Sequence, residues 1–238
     1  MRIKNDSWII NIPIAHRGLH NDKLPENSAS AFLNAIEKGY AIEMDVRFSK
    51  DGQIVVFHDH TLKRMTGVNG RVIEKTYAEL KELNLAGTKE IIPLFTDFLK
   101  LVNGRTPILI EIKDQPERED LAEKTIEILK TYKGEFALQS FNPFYVIECK
   151  KLMPEVFRGQ LATRYAEGHN FLVSYMLRHF FFNLFSKPDF ISFNIEDLPY
   201  APVQRKKSRL ICWTIRNEAD LLKARKYAEN IIFENIQP

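Results

Sequence analysis

"IPIAHRGLHNDKLPENSASAF" (residues 12–32) holds an apolar run that ends in His16-Arg17-Gly18, crosses a polar loop and reopens at Glu26-Asn27-Ser28. The first half has strand character. The second places Ala29, Phe32, Leu33 and Ile36 at i, i+3, i+4 and i+7, one face of a helix. A strand followed by a helix is one βα unit, and the fold depends on whether that unit recurs.

It does recur. Further β-rich runs are AIEMDVRFS (41–49), PILIEIK (107–113), FALQSF (136–141), FRGQLAT (157–163), FISFNIED (190–197), LICWTI (210–215) and NIIFEN (230–235), which makes eight with the first. Helical patterns lie between them, such as Leu121, Thr125, Ile128 and Leu129. Strands that alternate with helices build a parallel sheet with covered faces. Eight units match the α/β fold of a closed (β/α)8 TIM barrel, whereas a doubly wound sheet usually carries a glycine-rich first turn that is absent here. About 60 residues separate the second run from the third, where the other gaps are near 20–30. A single barrel domain over 1–238 is therefore expected, with residues 60–105 as a small inserted subdomain after the second strand that caps the barrel.

With 45% hydrophobic and 27% charged residues, the 238-residue chain has the composition of a folded globular protein. Its net charge of +3 is too small to predict a nucleic-acid partner by bulk electrostatics, so any anion has to be held by local geometry. The two cysteines, Cys149 and Cys212, fall in separate apolar elements and are expected as buried thiols, which suits a reducing compartment. Charges interrupt the N-terminal segment before any run of signal-peptide length, so a cytoplasmic location is expected. The longest apolar stretch, FLVSYMLRHFFFNLF (171–185), is shorter than a spanning helix and contains Arg178 and His179.

Chemistry collects at strand ends, where a barrel of this type places its active site. His16 and Arg17 end the first run; Glu43 and Asp45 lie on the second, Glu111 and Lys113 on the third, Gln139 on the fourth and Trp213 on the seventh. Glu43 and Asp45 are two apart, which on a strand points both carboxylates to one face. Three carboxylates aimed at one spot repel unless a cation sits among them, and hard oxygen donors favour Ca²⁺ or Mg²⁺. The bland alternative is a set of core salt bridges with Lys113 or Arg47. Asp51-Gly52 is a turn signal, so VRFSKDGQIVVFHD (46–59) is expected to be a hairpin that returns His58 to the Glu43/Asp45 strand. Two histidines near one cation can divide general acid and general base roles near neutral pH.

Taken together, these segments resemble the glycerophosphodiester phosphodiesterase family. The resemblance is carried by HRG (16–18), PENSASAF (25–32), EMDVRFSKDGQIVVFHD (43–59), LKRMTG (62–67), EIK (111–113), QSF (139–141) and WT (213–214), which follow the family's order over nearly the whole chain. It implies that Glu43, Asp45 and Glu111 hold a divalent cation, that His16 and His58 are the acid/base pair, and that Arg17 and Lys113 bind phosphate. Gln139 and Trp213 would contact substrate, Trp213 near the glycerol or alcohol portion. The implied reaction is hydrolysis of glycerophosphodiesters to glycerol 3-phosphate and an alcohol, by attack of water or of the adjacent glycerol hydroxyl. The rival readings are a lysophospholipase D-like diesterase on lysophospholipids and a silent module that binds phosphodiesters or membranes.

Three features depart from the family. The last strand runs into IIFENIQP (231–238), with Phe233, Glu234 and Asn235 where relatives end in a small hydroxyl residue and Asp or Asn before Pro, which bears on the floor of the pocket. Ser28 stands where Thr is usual and keeps a hydroxyl able to cap a helix. The Phe-rich stretch 171–185 replaces a shorter, more polar connection, and serves either as barrel cover or as a peripheral contact with a membrane surface, aided by Lys187, Arg178 and QRKKSR (204–209). His20, His60, His169 and His179 are given no role, and Asp114, Glu117, Glu119 and Asp120 are expected at a helix start, where carboxylates suit the macrodipole.

Overall fold

The computed structural model describes residues 2–164, 171–205 and 208–238, so His169 and the central lysines of QRKKSR lie outside the described residues. The β-strands are β1 (Ile14–Ala15), β2 (Ala41–Phe48), β3 (Ile54–Val56), β4 (Ile108–Ile112), β5 (Phe136–Ser140), β6 (Phe157–Ala162), β7 (Phe190–Asn194), β8 (Arg209–Ile215) and β9 (Asn230–Phe233). Their order in the sheet is β1-β9-β8-β7-β6-β5-β4-β2-β3, with β1 also paired to β2. The eight strands other than β3 form the parallel barrel of a TIM fold. The helices are α1 (Trp8–Asn11), α2 (Ala29–Glu37), α3 (Lys63–Thr66), α4 (Tyr77–Leu80), α5 (Phe95–Val102), α6 (Leu121–Leu129), α7 (Pro143–Leu152), α8 (Phe171–Arg178), α9 (Asn183–Ser186), α10 (Ala201–Gln204) and α11 (Glu218–Tyr227).

Two compact units divide the chain, one of Ala15–Phe136 and one of Met1–Ile14 with Ala137–Pro238. In the first, β2 and β4 are buried along their whole length, as parallel strands covered on both faces should be. The expected hairpin forms: β3 runs antiparallel to β2 with Val46 opposite Val56. Val55 and Phe57 then join Leu62, Met65, Val72, Leu80, Leu85 and Ile92 in a small apolar cluster, so residues 60–92 share a core with the hairpin.

Several boundaries differ from the sequence expectation. The first strand stops at Ala15, because Arg17 (φ 54°) and Gly18 (φ 80°) turn left-handed. A Cβ on Gly18 would lie 2.9 Å from the carbonyl carbon of Ala31 and from the Phe32 ring, so no side chain fits there. The run at 190–197 leaves the sheet at Asn194, whose Oδ1 accepts the Glu196 amide and starts a turn. Helix α2 buries Ala31, Phe32 and Ala35, and Leu33 is exposed: small residues let the helix sit close while Phe32 meets Phe98 of α5 edge-on at 4.4 Å. Ser28 caps α2, its hydroxyl accepting the Ala31 amide.

In the second unit β5 to β9 pair in parallel order, and α1 is tied to β9 by the Asn230 amide, which donates to the carbonyls of Ile9 and Ile12. Cys149 and Cys212 are buried free thiols there, each pushed up to about 12 by burial.

Candidate active site

β2 carries Glu43, Asp45 and Arg47 on one side, and all three are buried. Parallel pairing sets Asp45 opposite Glu111 of β4. The result is a group of three buried carboxylates, Glu43, Asp45 and Glu111, with ligand oxygens within 4.8 Å of one another. Neighbours weight the three differently. Burial, then repulsion from Asp45 and Glu111, drives the Glu43 carboxyl well above its ordinary range. For Asp45 burial pushes the same way, but Lys113, His58, Arg17 and the Asn27 amide outweigh it and hold the carboxyl far below that range.

The loop after β1 folds over these carboxylates. The Arg17 amide donates to Glu43 Oε2 at 3.0 Å, and its guanidinium lies 3.6 Å from Asp45 Oδ2 and bonds Glu26 at 2.8 Å. Asn27, buried and left-handed at φ 55°, donates from Nδ2 to Asp45 Oδ2 at 2.9 Å. Asparagine tolerates that conformation better than most residues, which explains its place in a tight loop. His16 is half-buried between β1 and Arg17.

His58 follows the hairpin, and the Phe57 amide bonds the Asp45 carbonyl, which anchors it beside the carboxylates. Its Nδ1 lies 2.7 Å from Asp59 Oδ1. Arg64 of α3 grips Asp59 through two bonds of 2.7 and 3.0 Å; against the opposing effect of burial, the hydrogen bond from His58 and then those from Arg64 hold the Asp59 carboxyl well below the usual range. With Nδ1 engaged by Asp59, Nε2 is the His58 ring nitrogen left for other partners. The other side of the Arg64 fork holds Glu26 at 2.6 and 2.8 Å, so one guanidinium from the inserted segment braces both His58, through Asp59, and Arg17, through Glu26.

Lys113 bonds Glu111 at 2.6 Å and approaches Asp45 Oδ1 at 3.5 Å, so part of the core salt-bridge alternative is real. Arg47 feels Asp45 and Glu111 only at longer range: it donates to the carbonyls of His58 and Asp114 and meets His60 Nδ1 at 3.3 Å. A single ammonium does not exhaust the cluster, because Asp45 Oδ1 is buried without a hydrogen-bond partner. Three converging hard oxygens, one with no donor, fit a divalent cation of the Mg²⁺ or Ca²⁺ type.

The imbalance between Glu43 and Asp45 yields a stability prediction for the metal-free protein. Glu43's folded pKa is raised, so its favourable share is complete below the unfolded value near ~4.3 and is lost as pH rises through the folded one. Asp45's is depressed, so its share is present above the unfolded value and lost on acidification. At neutral pH in EDTA, Glu43→Gln is expected to stabilise by about 1–2 kcal/mol and Asp45→Asn to destabilise by about 3 kcal/mol, read by urea unfolding. Equal destabilisation by both would contradict this charge arrangement.

Gln139 and Trp213 lie in the second unit. Gln139 is buried on β5, its Oε1 accepting the Ser192 hydroxyl at 2.8 Å. Trp213 of β8 meets Phe141 edge-on at 5.6 Å, and its indole N–H is buried without a partner. The expected acidic helix start is only partly realised: Asp120 sits at the N-cap position of α6 without capping it, and pairs with Arg118 instead, while Glu117 pairs with Arg71.

A model of the glycerophosphoryl diester phosphodiesterase family matches residues 16–235. The chain belongs to that family. A glycerophosphodiester phosphodiesterase of Caldanaerobacter subterraneus subsp. tengcongensis is 36% identical over 163 residues, 62% of this chain and 65% of the relative. A lysophospholipase D of Rattus norvegicus is 36% identical over 135 residues, 51% of this chain and 42% of its own. This chain's match thus spans less than two thirds of either relative. The solved structure of an Oleispira antarctica phosphodiesterase in complex with the product sn-glycerol-3-phosphate shares the fold, with a TM-score of 0.79 at 24% identity over 95% of this chain and 93% of that one.

Sequence reasoning about this family member gave no role to Asn27, Glu26 or Arg64, although all three stand in quoted segments. The left-handed Asn27 carried a faint signal in the PEN turn; the bracing by Arg64 carried none, because it joins positions 38 residues apart.

Proposed function

We propose that this chain is a divalent-cation-dependent hydrolase of glycerophosphodiesters that releases glycerol 3-phosphate and an alcohol such as choline or ethanolamine. The observation that carries the proposal is the buried Glu43/Asp45/Glu111 group with Arg17 and His58 fixed beside it. Glu43, Asp45 and Glu111 would hold Mg²⁺ or Ca²⁺, which when bound neutralises charge on the phosphoryl oxygens. Arg17 contributes a guanidinium pre-oriented by Glu26 for the phosphate, and a guanidinium suits a planar pair of oxygens. His16 and His58 divide the proton work, one taking the proton of the attacking hydroxyl and the other giving one to the leaving alkoxide. Lys113, now tied to Glu111 and Asp45, is the second phosphate cation once those carboxylates are otherwise neutralised. Gln139 and Trp213 are proposed as substrate contacts, supported for Trp213 by its unpartnered indole N–H. Release of glycerol 3-phosphate from glycerophosphocholine tests the proposal.

Residues 60–105 are proposed as a cap that completes the site, because they deliver Arg64. Helix α5 within that range packs on α2, as a barrel helix does. Arg64→Gln is expected to lower kcat about 10–100-fold. Asp59 and Glu26 then lose their shared partner, so the pH profile governed by His58 should shift as well, and Arg64→Lys should restore only part of the rate. Unchanged kcat and pH profile in Arg64→Gln would remove Arg64 from this role.

A second reading, hydrolysis of lysophospholipids, is favoured by the exposed apolar side chains of 171–185 and by the lysophospholipase D relative. Comparing kcat/KM for lysophosphatidylcholine and glycerophosphocholine decides between the two. Among the described residues no helix is long and apolar enough to cross a membrane, and a cytoplasmic location is proposed on the two free buried thiols.

A further inference from the structure

Half of the large apolar side chains exposed among the described residues come from one short stretch. Phe171, Leu172, Tyr175, Phe181, Leu184 and Phe185 are six of twelve, with Phe171 80% and Leu184 67% exposed. Scattered exposed leucines need no explanation, but a cluster does. Several of the rings are in contact. Phe181 lies 6.2 Å from both Phe182 and Phe185, Phe182 lies 5.7 Å from the exposed Phe144 of α7, and Tyr175 stacks against His179 at 4.3 Å. On α8, residues 171, 172 and 175 fall on one side of the helix. Barrel cover, the alternative meaning of a Phe-rich segment, would bury these rings.

The charges around the patch are mainly basic, with Glu148 of α7 as the acidic exception. Residues 171–188 contain Arg178, His179 and Lys187 and no aspartate or glutamate. Lys150 of α7 adds a fourth basic group, its ammonium fixed on the Phe185 carbonyl at 2.7 Å. The nearest following acid, Asp189, is already engaged by Arg2 and Arg158. Bulky apolar side chains bordered by cations complement an anionic lipid surface, where rings enter the acyl boundary and cations meet headgroups.

We propose that α8, α9 and the exposed end of α7 form a docking surface for anionic phospholipid bilayers. This proposal does not depend on the bond-breaking chemistry proposed above. Docking would hold the enzyme at an interface where phospholipid breakdown supplies glycerophosphodiesters and lysolipids, without an integral anchor in the segment itself.

The test is flotation of the purified full chain with phosphatidylcholine vesicles, with and without phosphatidylglycerol. Wild type is expected to float with the anionic vesicles and several-fold less with neutral ones. Phe171→Ser, Leu184→Ser and Phe185→Ser combined should cut the bound fraction at least about tenfold, while circular dichroism and hydrolysis of water-soluble glycerophosphocholine stay unchanged. Arg178→Gln with Lys187→Gln should weaken binding about fivefold per charge removed, and added salt should do the same. Absence of wild-type flotation, or equal flotation of the triple serine variant, overturns the proposal. So does a dimer in sedimentation that the serine variant abolishes while vesicles stay unbound, because the patch would then be covered by a second copy.

Discussion

Glu43→Gln is expected to lower the turnover of glycerophosphocholine by about 10³-fold, and EDTA to lower that of the wild type to a similar level. The substitution keeps size and the acceptor for the Arg17 amide, so the loop over the site should hold. What it removes is a carboxylate whose charge burial and the neighbouring Asp45 and Glu111 disfavour in the metal-free protein and which a bound cation would make favourable. The same substitution is expected to stabilise the metal-free protein. A variant that is firmer without metal yet inactive with it separates a metal-holding role from a packing role, since a core packing residue would lose stability and activity together. Activity in Glu43→Gln within tenfold of wild type would show that the carboxylate cluster is structural.

His16→Ala and His58→Ala are each expected to reduce kcat by about 10²–10⁴-fold with much smaller effects on KM. General acid/base groups act on protons that move in the transition state, so their loss falls on kcat. His58 carries the stronger geometric case, being anchored through Phe57 to Asp45 and oriented by an Asp59 that Arg64 also grips. The double variant should be much less impaired than the product of the two single losses, because two groups serving one proton sequence act as a unit. Fully multiplicative losses would assign the histidines to independent steps. Losing one limb of a bell-shaped rate profile in each single variant, a different limb in each, would assign acid and base.

The parts of this molecule legible in the sequence are those set by local periodicity. The parallel strands announced themselves as short β-branched runs, and the two-residue spacing of Glu43 and Asp45 fixed a shared face before any coordinates. The Asp51-Gly52 turn correctly folded the hairpin that brings His58 back. What local pattern could not supply was register between distant strands. That Asp45 stands opposite Glu111, rather than one residue away, depends on pairing across an insertion. Nor could it show Arg64 reaching Asp59 and Glu26 at once, or Asn27 pointing into the cluster, because those bonds join loops whose positions only the tertiary fold defines. The same blindness misjudged α2, where the expected stripe included Leu33; the true face is built from two alanines, whose small side chains contribute little to a hydrophobic pattern. Chemistry was visible as residue types at strand ends, and its wiring was not.

The central claim is that a divalent cation held by Glu43, Asp45 and Glu111 makes this chain a glycerophosphodiester hydrolase. The most direct measurement is glycerol 3-phosphate release from glycerophosphocholine by purified wild-type protein, first with EDTA and then on titration with Mg²⁺ or Ca²⁺. Near-zero release in EDTA, restored by the cation in wild type and not in Glu43→Gln, is the predicted result. Undiminished release in EDTA, or restoration of the variant by the same cation concentration, would contradict it.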